Sequence, residues 1–159
     1  MNSKNKNSKT YFTHNDVRDH FPRRKENSHK GENGKVLIIG GSRDYLGAPI
    51  FAGLGAISSG VDLVYLWVPK INFIATRESS VNFLVKSFCD NTEKLTLASV
   101  NEILAFAKKE NTAIVLGCGL GRDPETQQAI LEITKKTKQP IVIDADALLL
   151  NLPKFKSEN

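Results

Sequence analysis

The sequence predicts an α/β domain built on a mostly parallel, Rossmann-like sheet with helices on both faces. Three observations carry this. Short apolar, β-branched runs recur at 35–39, 62–68, 112–116 and 140–143, with helix signals between them. Glycine clusters at 40–41 and 117–121 follow two of those runs, where strand passes into helix. The 159 residues are 40% hydrophobic and 25% charged, enough for one domain with a core and ordinary for a globular chain.

The elements follow in order. Residues 1–10 read as a disordered basic tail, and 11–159 as the domain. Asn15-Asp16-Val17 starts a short helix, with Phe12, Val17 and Phe21 docking it on the domain and Pro22 ending it. Lys35 to Ile39 is a buried strand that stops at Gly40-Gly41-Ser42. Gly47-Ala48-Pro49 opens a helix that runs to Gly60, Pro49 suiting its first turn. Ile50, Phe51, Leu54 and Ile57 form its apolar stripe, while Gly53 and Gly55 permit close backbone approach. Asp62 to Val68 completes a βαβ unit and ends at Pro69. Trp67 in that run is read as packing rather than as a ligand stacker.

A short helix over 72–76 and a short strand over 81–85 come next. Ser99-Val100-Asn101-Glu102 reads as a capping box, opening a helix through Lys109 with Ile103, Leu104 and Ala107 inward. Thr112 to Leu116 is a strand. Asp123 caps a helix to about Thr137, with Ala129, Ile130 and Ile133 inward. The strand from Pro140 to Ile143 runs into Asp144-Ala145-Asp146.

Charge is unevenly placed. The net charge is +5, and residues 1–30 hold eight Lys and Arg against three acids, while the remainder holds fourteen of each. No aromatic residue interleaves with the first ten positions, so a solvated tail is favoured over a nucleic-acid arm. No apolar run reaches the ~20 residues of a membrane span, and 1–9 has no apolar core of a secretory signal. Two cysteines, Cys89 and Cys118, imply no disulfide framework. A cytoplasmic location follows as the default. His14, His20 and His29 have no metal-like partner set.

Neither named phosphate motif is present. A P-loop needs four residues between its glycines and then Lys; Gly41 and Gly47 have five between them, and Ala48 follows. Gly117-x-Gly119-x-Gly121 lacks a glycine at 122, where Arg122 stands, though Asp144 falls where a dinucleotide fold would place its ribose acid. Each turn is either a bare βα connection or a place where backbone N–H groups face a polar ligand. Asp144 and Asp146 end a parallel strand at the ligand-binding edge. They would hold Mg²⁺ through water or orient a hydroxyl, or one of them would cap the following helix.

Taken together, His29-Lys30-Gly31, Gly40-Gly41-Ser42, Gly47-Ala48-Pro49, Gly117-x-Gly119-x-Gly121 and Asp144-Ala145-Asp146-Ala147-Leu148 stand in an order and spacing that resembles the ADP/ATP-dependent NAD(P)H-hydrate dehydratases. That family is ribokinase-like. The resemblance implies phosphorylation of the hydrate's hydroxyl from ATP or ADP with Mg²⁺, then loss of phosphate to restore the dihydronicotinamide. It implies that Ala48 and Gly119 line the side facing the NAD(P)H hydrate, with Gly41, Ser42, Gly47, Gly117, Gly121, Asp144 and Asp146 around them as substrate-binding candidates.

The sequence departs from the family in one large respect. The family's Pro-His-x-x-Glu and Gly-Gly-Thr-Gly-Asp segments do not occur, so the catalytic base has no counterpart and only binding roles carry over. The chain resembles the N-terminal half of such a domain, truncated after the Asp-Ala-Asp strand. The expectation is an incomplete, inactive half that self-associates or pairs with a chain carrying the C-terminal half. The alternatives are a hydroxymethylpyrimidine-type kinase of the same superfamily and a non-catalytic cofactor-binding module.

Overall fold

Five strands lie side by side in the order β3-β2-β1-β4-β5, every pairing parallel. The computed structural model describes residues 13–20, 24–88 and 93–149. The strands are β1 (Lys35–Ile39), β2 (Leu63–Val68), β3 (Phe83–Ser87), β4 (Ala113–Leu116) and β5 (Ile141–Ile143). Helix α1 (His14–His20) precedes them. Helices α2 (Gly47–Ser58), α3 (Phe73–Ser79), α4 (Val100–Glu110) and α5 (Pro124–Lys136) make the crossovers. The basic tail, Phe12, Phe21, Cys89 and the residues after 149 lie outside the described residues, so the docking expected of α1 and the proposed tail do too.

Connection handedness explains the layers. The chain steps from β1 to β2 to β3 in one direction, then returns across β1 to β4 and β5 in the other. Right-handed crossovers therefore place α2 and α3 on one face, α4 and α5 on the opposite face. Side-chain alternation divides the core accordingly. Leu37, Ile39, Ile114 and Leu116 meet Ile103, Ala107, Ile130 and Ile133 on the α4–α5 side. Ile38, Val64, Leu66, Val68 and Phe83 meet Ile50, Ala52, Ala56 and Ile57 on the α2 side. Trp67 is wholly buried, its ring 5.4 Å from Phe106, and belongs to the core.

Two expectations are corrected. Phe51 is 76% exposed and Leu54 40% exposed, so neither belongs to the buried stripe of α2. The cause is Gly53. A Cβ there would lie 2.7 Å from the Phe83 ring, so the helix rests on the sheet by its backbone at Gly53. That rotation turns Phe51 and Leu54 outward. The capping box at 99–102 also fails, although α4 starts where expected. Ser99 has helical dihedrals because it ends a 3₁₀ turn, Leu97–Ser99, and its side chain makes no cap bond. A capping side chain needs an extended backbone at that position. Asp123 has one, and its Oδ1 accepts from the Glu125 N–H at 3.0 Å.

Candidate functional site

The turns after β1, β4 and β5 converge at the carboxyl edge of the sheet. This is the point where successive connections leave for opposite faces, and where open α/β sheets form a crevice. The Gly41 N–H donates to the Cys118 carbonyl at 2.9 Å, and the Asp144 N–H to the Leu116 carbonyl at 3.0 Å. The turns are pressed together. A Cβ at Gly40 would fall 2.5 Å from the Cys118 oxygen, and one at Gly117 would fall 1.9 Å from the Asp144 oxygen. Glycine is needed at 117 for a second reason, its φ of +123°.

Ala48 and Gly119 come together across this junction. A Cβ at Gly119 would be 3.1 Å from that of Ala48 and 2.9 Å from that of Tyr45. Tyr45 is 55% exposed and opens onto a cleft of about 580 Å³ that Ser42, Leu120, Gly121 and Asp146 also line. The rim is charged, and several of its charges are paired. Arg43 reaches Glu93 at 2.9 Å, and Lys94 reaches Asp123 at 2.8 Å and Glu125 at 3.3 Å.

The loop that presents Tyr45 is held from below. Ser42 and Tyr45 exchange backbone hydrogen bonds of 3.1 and 3.2 Å. The Asn72 Nδ2 donates to both of their carbonyls, at 2.8 Å to Ser42 and 3.4 Å to Tyr45. Asn72 is buried, and its own carbonyl accepts from the Thr76 hydroxyl at 2.7 Å. The second glycine turn is held by Asp146, whose Oδ2 accepts from the Gly121 N–H at 2.9 Å while Oδ1 lies 3.5 Å from Arg122 Nε.

Not every predicted residue reaches the cleft. Ser42, Gly121 and Asp146 line it, and Ala48 and Gly119 lie together behind Tyr45. Gly41 and Gly117 serve the turns. Gly47 begins α2 on its exposed side, and a Cβ there would meet only Phe51. Asp144 is exposed, with Oδ2 3.8 Å from Cys118 Sγ. Burial, then the Asp144 charge, pushes the Cys118 thiol up from its usual range. Among the described residues, neither the Asp144 nor the Asp146 carboxylate bonds an N–H of the 3₁₀ turn Ala145–Leu149 that follows β5. The expected capping role is replaced, for Asp146, by the bond to Gly121. Among the described residues no group of three His, Cys, Asp or Glu is placed to hold a metal ion.

The His29-Lys30-Gly31 motif lies at the opposite edge of the sheet, beside the start of β2. There Asp62 Oδ2 accepts from the N–H groups of Gly31 and Asn33 at 2.9 and 3.0 Å. Those bonds, that of Asn33 foremost, hold the Asp62 carboxyl below its usual range. Sequence reasoning missed Tyr45 and Asn72. Tyr45 stood between two quoted motifs, a position that signals exposure to whatever those turns face. Asn72 carried no signal of its own.

The class comes first from structure. A ribokinase-like superfamily protein of Enterococcus faecalis V583 superimposes with a TM-score of 0.72 at 22% identity, covering 89% of this chain and 49% of that one, which shows the ribokinase-like fold. The ADP/ATP-dependent NAD(P)H-hydrate dehydratase of Bacillus subtilis, co-crystallised with ATP/Mg²⁺, gives 0.66 at 26% identity over 89% of this chain and 48% of that one. The NAD(P)H-hydrate dehydratase family matches residues 36–157, and the chain belongs to that family. The ADP-dependent (S)-NAD(P)H-hydrate dehydratase of Nitrosopumilus maritimus is 40% identical over 147 residues, 90% of this chain and 50% of that protein. The chain thus spans half or less of the curated relatives it matches.

Proposed function

We propose that this chain supplies the hydrate-facing wall of an ADP- or ATP-dependent NAD(P)H-hydrate dehydratase acting in the cytoplasm, and that residues 11–159 are the N-terminal part of its domain. The observation that carries this is the meeting of Ala48 and Gly119 behind Tyr45, at the carboxyl edge of the sheet. The ring of the hydrate is uncharged and carries one hydroxyl. Tyr45 offers it apolar surface, and the Ser42 hydroxyl offers a hydrogen bond. The resident roles here are binding, orientation and exclusion of water. No described helix is long and apolar enough to cross a membrane.

The nucleotide and Mg²⁺ fit this chain poorly. No described cluster would ligate the metal, and Arg43, Lys94 and Arg122 each already face a carboxylate. No step through the nucleotide is derived from these residues. The partner proposed is a chain carrying the half of the relatives' length that this one does not span.

Complementation tests the reading. The chain alone should return no NADH from NADH hydrate with ATP or ADP and Mg²⁺, measured as absorbance of the reduced ring. Mixed with a polypeptide covering the C-terminal half of the Nitrosopumilus relative, it should do so. Turnover by the isolated chain, abolished by a substitution within it, would overturn the division of labour.

A further inference from the structure

In the loop between β1 and α2, shape and direction have different causes. The shape is internal. The Ser42 N–H donates to the Tyr45 carbonyl at 3.1 Å and the Tyr45 N–H to the Ser42 carbonyl at 3.2 Å, so residues 42–45 close on themselves. The direction is set from elsewhere. Gly40 and Gly41 precede the turn and Gly47 follows it, and glycine leaves a backbone free to pivot. The amide nitrogen of Asn72 carries two N–H donors. It bonds the Ser42 carbonyl at 2.8 Å and the Tyr45 carbonyl at 3.4 Å, so one nitrogen spans both ends of the turn.

Asn72 is itself fixed. It is buried where the 3₁₀ turn Lys70–Asn72 meets α3. Its N–H donates to the Pro69 carbonyl at 2.9 Å, and its carbonyl accepts from the Thr76 hydroxyl at 2.7 Å. Gly41 leaves space for it, since a Cβ there would lie 3.1 Å from Asn72 Nδ2. Other polar side chains do not replace it. Aspartate offers only acceptors, serine one donor, and glutamine an extra methylene where Gly41 already crowds the nitrogen.

We propose that Asn72 is a positioning residue for the hydrate. By bridging the Ser42 and Tyr45 carbonyls it aims the Tyr45 ring into the cleft, and so sets hydrate affinity from a position that does not line the cleft. This rests on the reading of the cleft given above. A binding wall contributes most when its orientation is settled before the ligand arrives. Without Asn72, each carbonyl keeps the bond from the opposite N–H, so the turn persists and its aim is lost. A purely structural asparagine would have no such selective effect.

Two measurements test this on Asn72→Ala and on Asn72→Leu, which keeps the branched shape of asparagine without its donors. The first is NMR of the 159-residue chain. Tyr45 Cγ lies 3.7 Å from where a Gly119 Cβ would be, so its ring current shifts the Gly119 α-protons. Tyr45→Leu gives their position without it. Both Asn72 variants should move them most of the way to that position, while the buried Ile38 and Leu66 methyls stay in place. The second is the kinetics of the chain complemented by the C-terminal polypeptide. Both variants should raise the KM for NADH hydrate about tenfold or more and leave the KM for ATP or ADP unchanged. In a Tyr45→Leu background, Asn72→Leu should add less than about twofold. Unmoved Gly119 protons overturn the proposal. So does a hydrate KM that Asn72→Leu leaves unchanged, or effects of the two substitutions that multiply. Displaced Ile38 and Leu66 methyls in both variants assign Asn72 to the fold at large and overturn it too. A wild-type mixture without turnover overturns the reading of the cleft and the hydrate's part here, while the Gly119 protons still decide whether Asn72 aims the loop.

Discussion

At Gly119 the absence of a side chain lets Ala48 and Tyr45 close against the backbone. A Cβ there would lie 2.9 Å from that of Tyr45 and 3.1 Å from that of Ala48, so bulk added at 48 must push against Tyr45, the residue proposed to face the hydrate. Ala48→Leu should weaken hydrate binding at least tenfold in the complemented protein, while its melting temperature moves by no more than a few degrees. Equal affinity for wild type and variant would make this contact packing alone. Asn72 acts on the other wall. Removing its Nδ2 leaves two carbonyls of the 42–45 loop without that donor. Asn72→Ala should therefore cost about 1–3 kcal/mol in urea unfolding. Asn72→Asp, which offers acceptors where donors are needed, should not rescue it. Ala48 and Gly119, singled out through their motifs, do come together in space. Asn72 was not legible, because a lone asparagine after a strand gains its meaning only when the chain folds back on the Ser42 turn.

Elements were legible where local chemistry and packing agreed. The Asp123-Pro124 start of α5 combines a capping carboxylate with a proline in the first turn, and both act as expected. The α4 start was placed correctly for a reason that fails, since the 3₁₀ turn before it denies Ser99 the extended backbone a cap requires. The stripe of α2 was misread because periodicity could not show that Gly53 would set the contact with Phe83. The α5 cap makes a pH prediction. The Lys94 ammonium's hydrogen bond, more than the Glu125 N–H, holds the Asp123 carboxyl below its usual range. A carboxyl lowered in the folded state contributes stability above its unfolded pKa of about 3.9. That contribution fades as pH falls from there through the lower folded value. The urea midpoint should accordingly drop below about pH 4. Asp123→Asn keeps an acceptor at the cap but not the charge, so it should lower the midpoint near neutrality and flatten that acid limb. An acid limb of wild-type steepness in Asp123→Asn would assign it to other carboxyls. Asp123→Ala should cost about 1 kcal/mol from the cap itself.

On the scale of the whole molecule, the sheet is covered unevenly. Helix α2 lies over β1 and β2, but on that side the β4 and β5 positions are Val115, only half-buried, and Val142, 60% exposed. Leu148 beyond β5 is exposed as well. Parallel sheets are ordinarily covered on both faces, because their crossovers bring helices to each. Among the described residues, β5 is paired with β4 alone and leaves its other edge unpaired. The strand alternation was readable in the sequence; this imbalance follows from topology and was readable only through the family resemblance. A chain with so much of one face open should fall short of the ~5 kcal/mol of an ordinary intact domain. Its stability should rise when a polypeptide carrying the remaining half of the relatives' length is added, since a partner that binds only the folded state stabilises it by mass action. Val142→Lys places a charge in the face that partner would cover. It should leave the isolated chain's urea midpoint nearly unchanged and abolish the shift that the second polypeptide produces. A wild-type chain that unfolds cooperatively above 5 kcal/mol by itself, or a shift that survives Val142→Lys, would mean that this face closes without the second half.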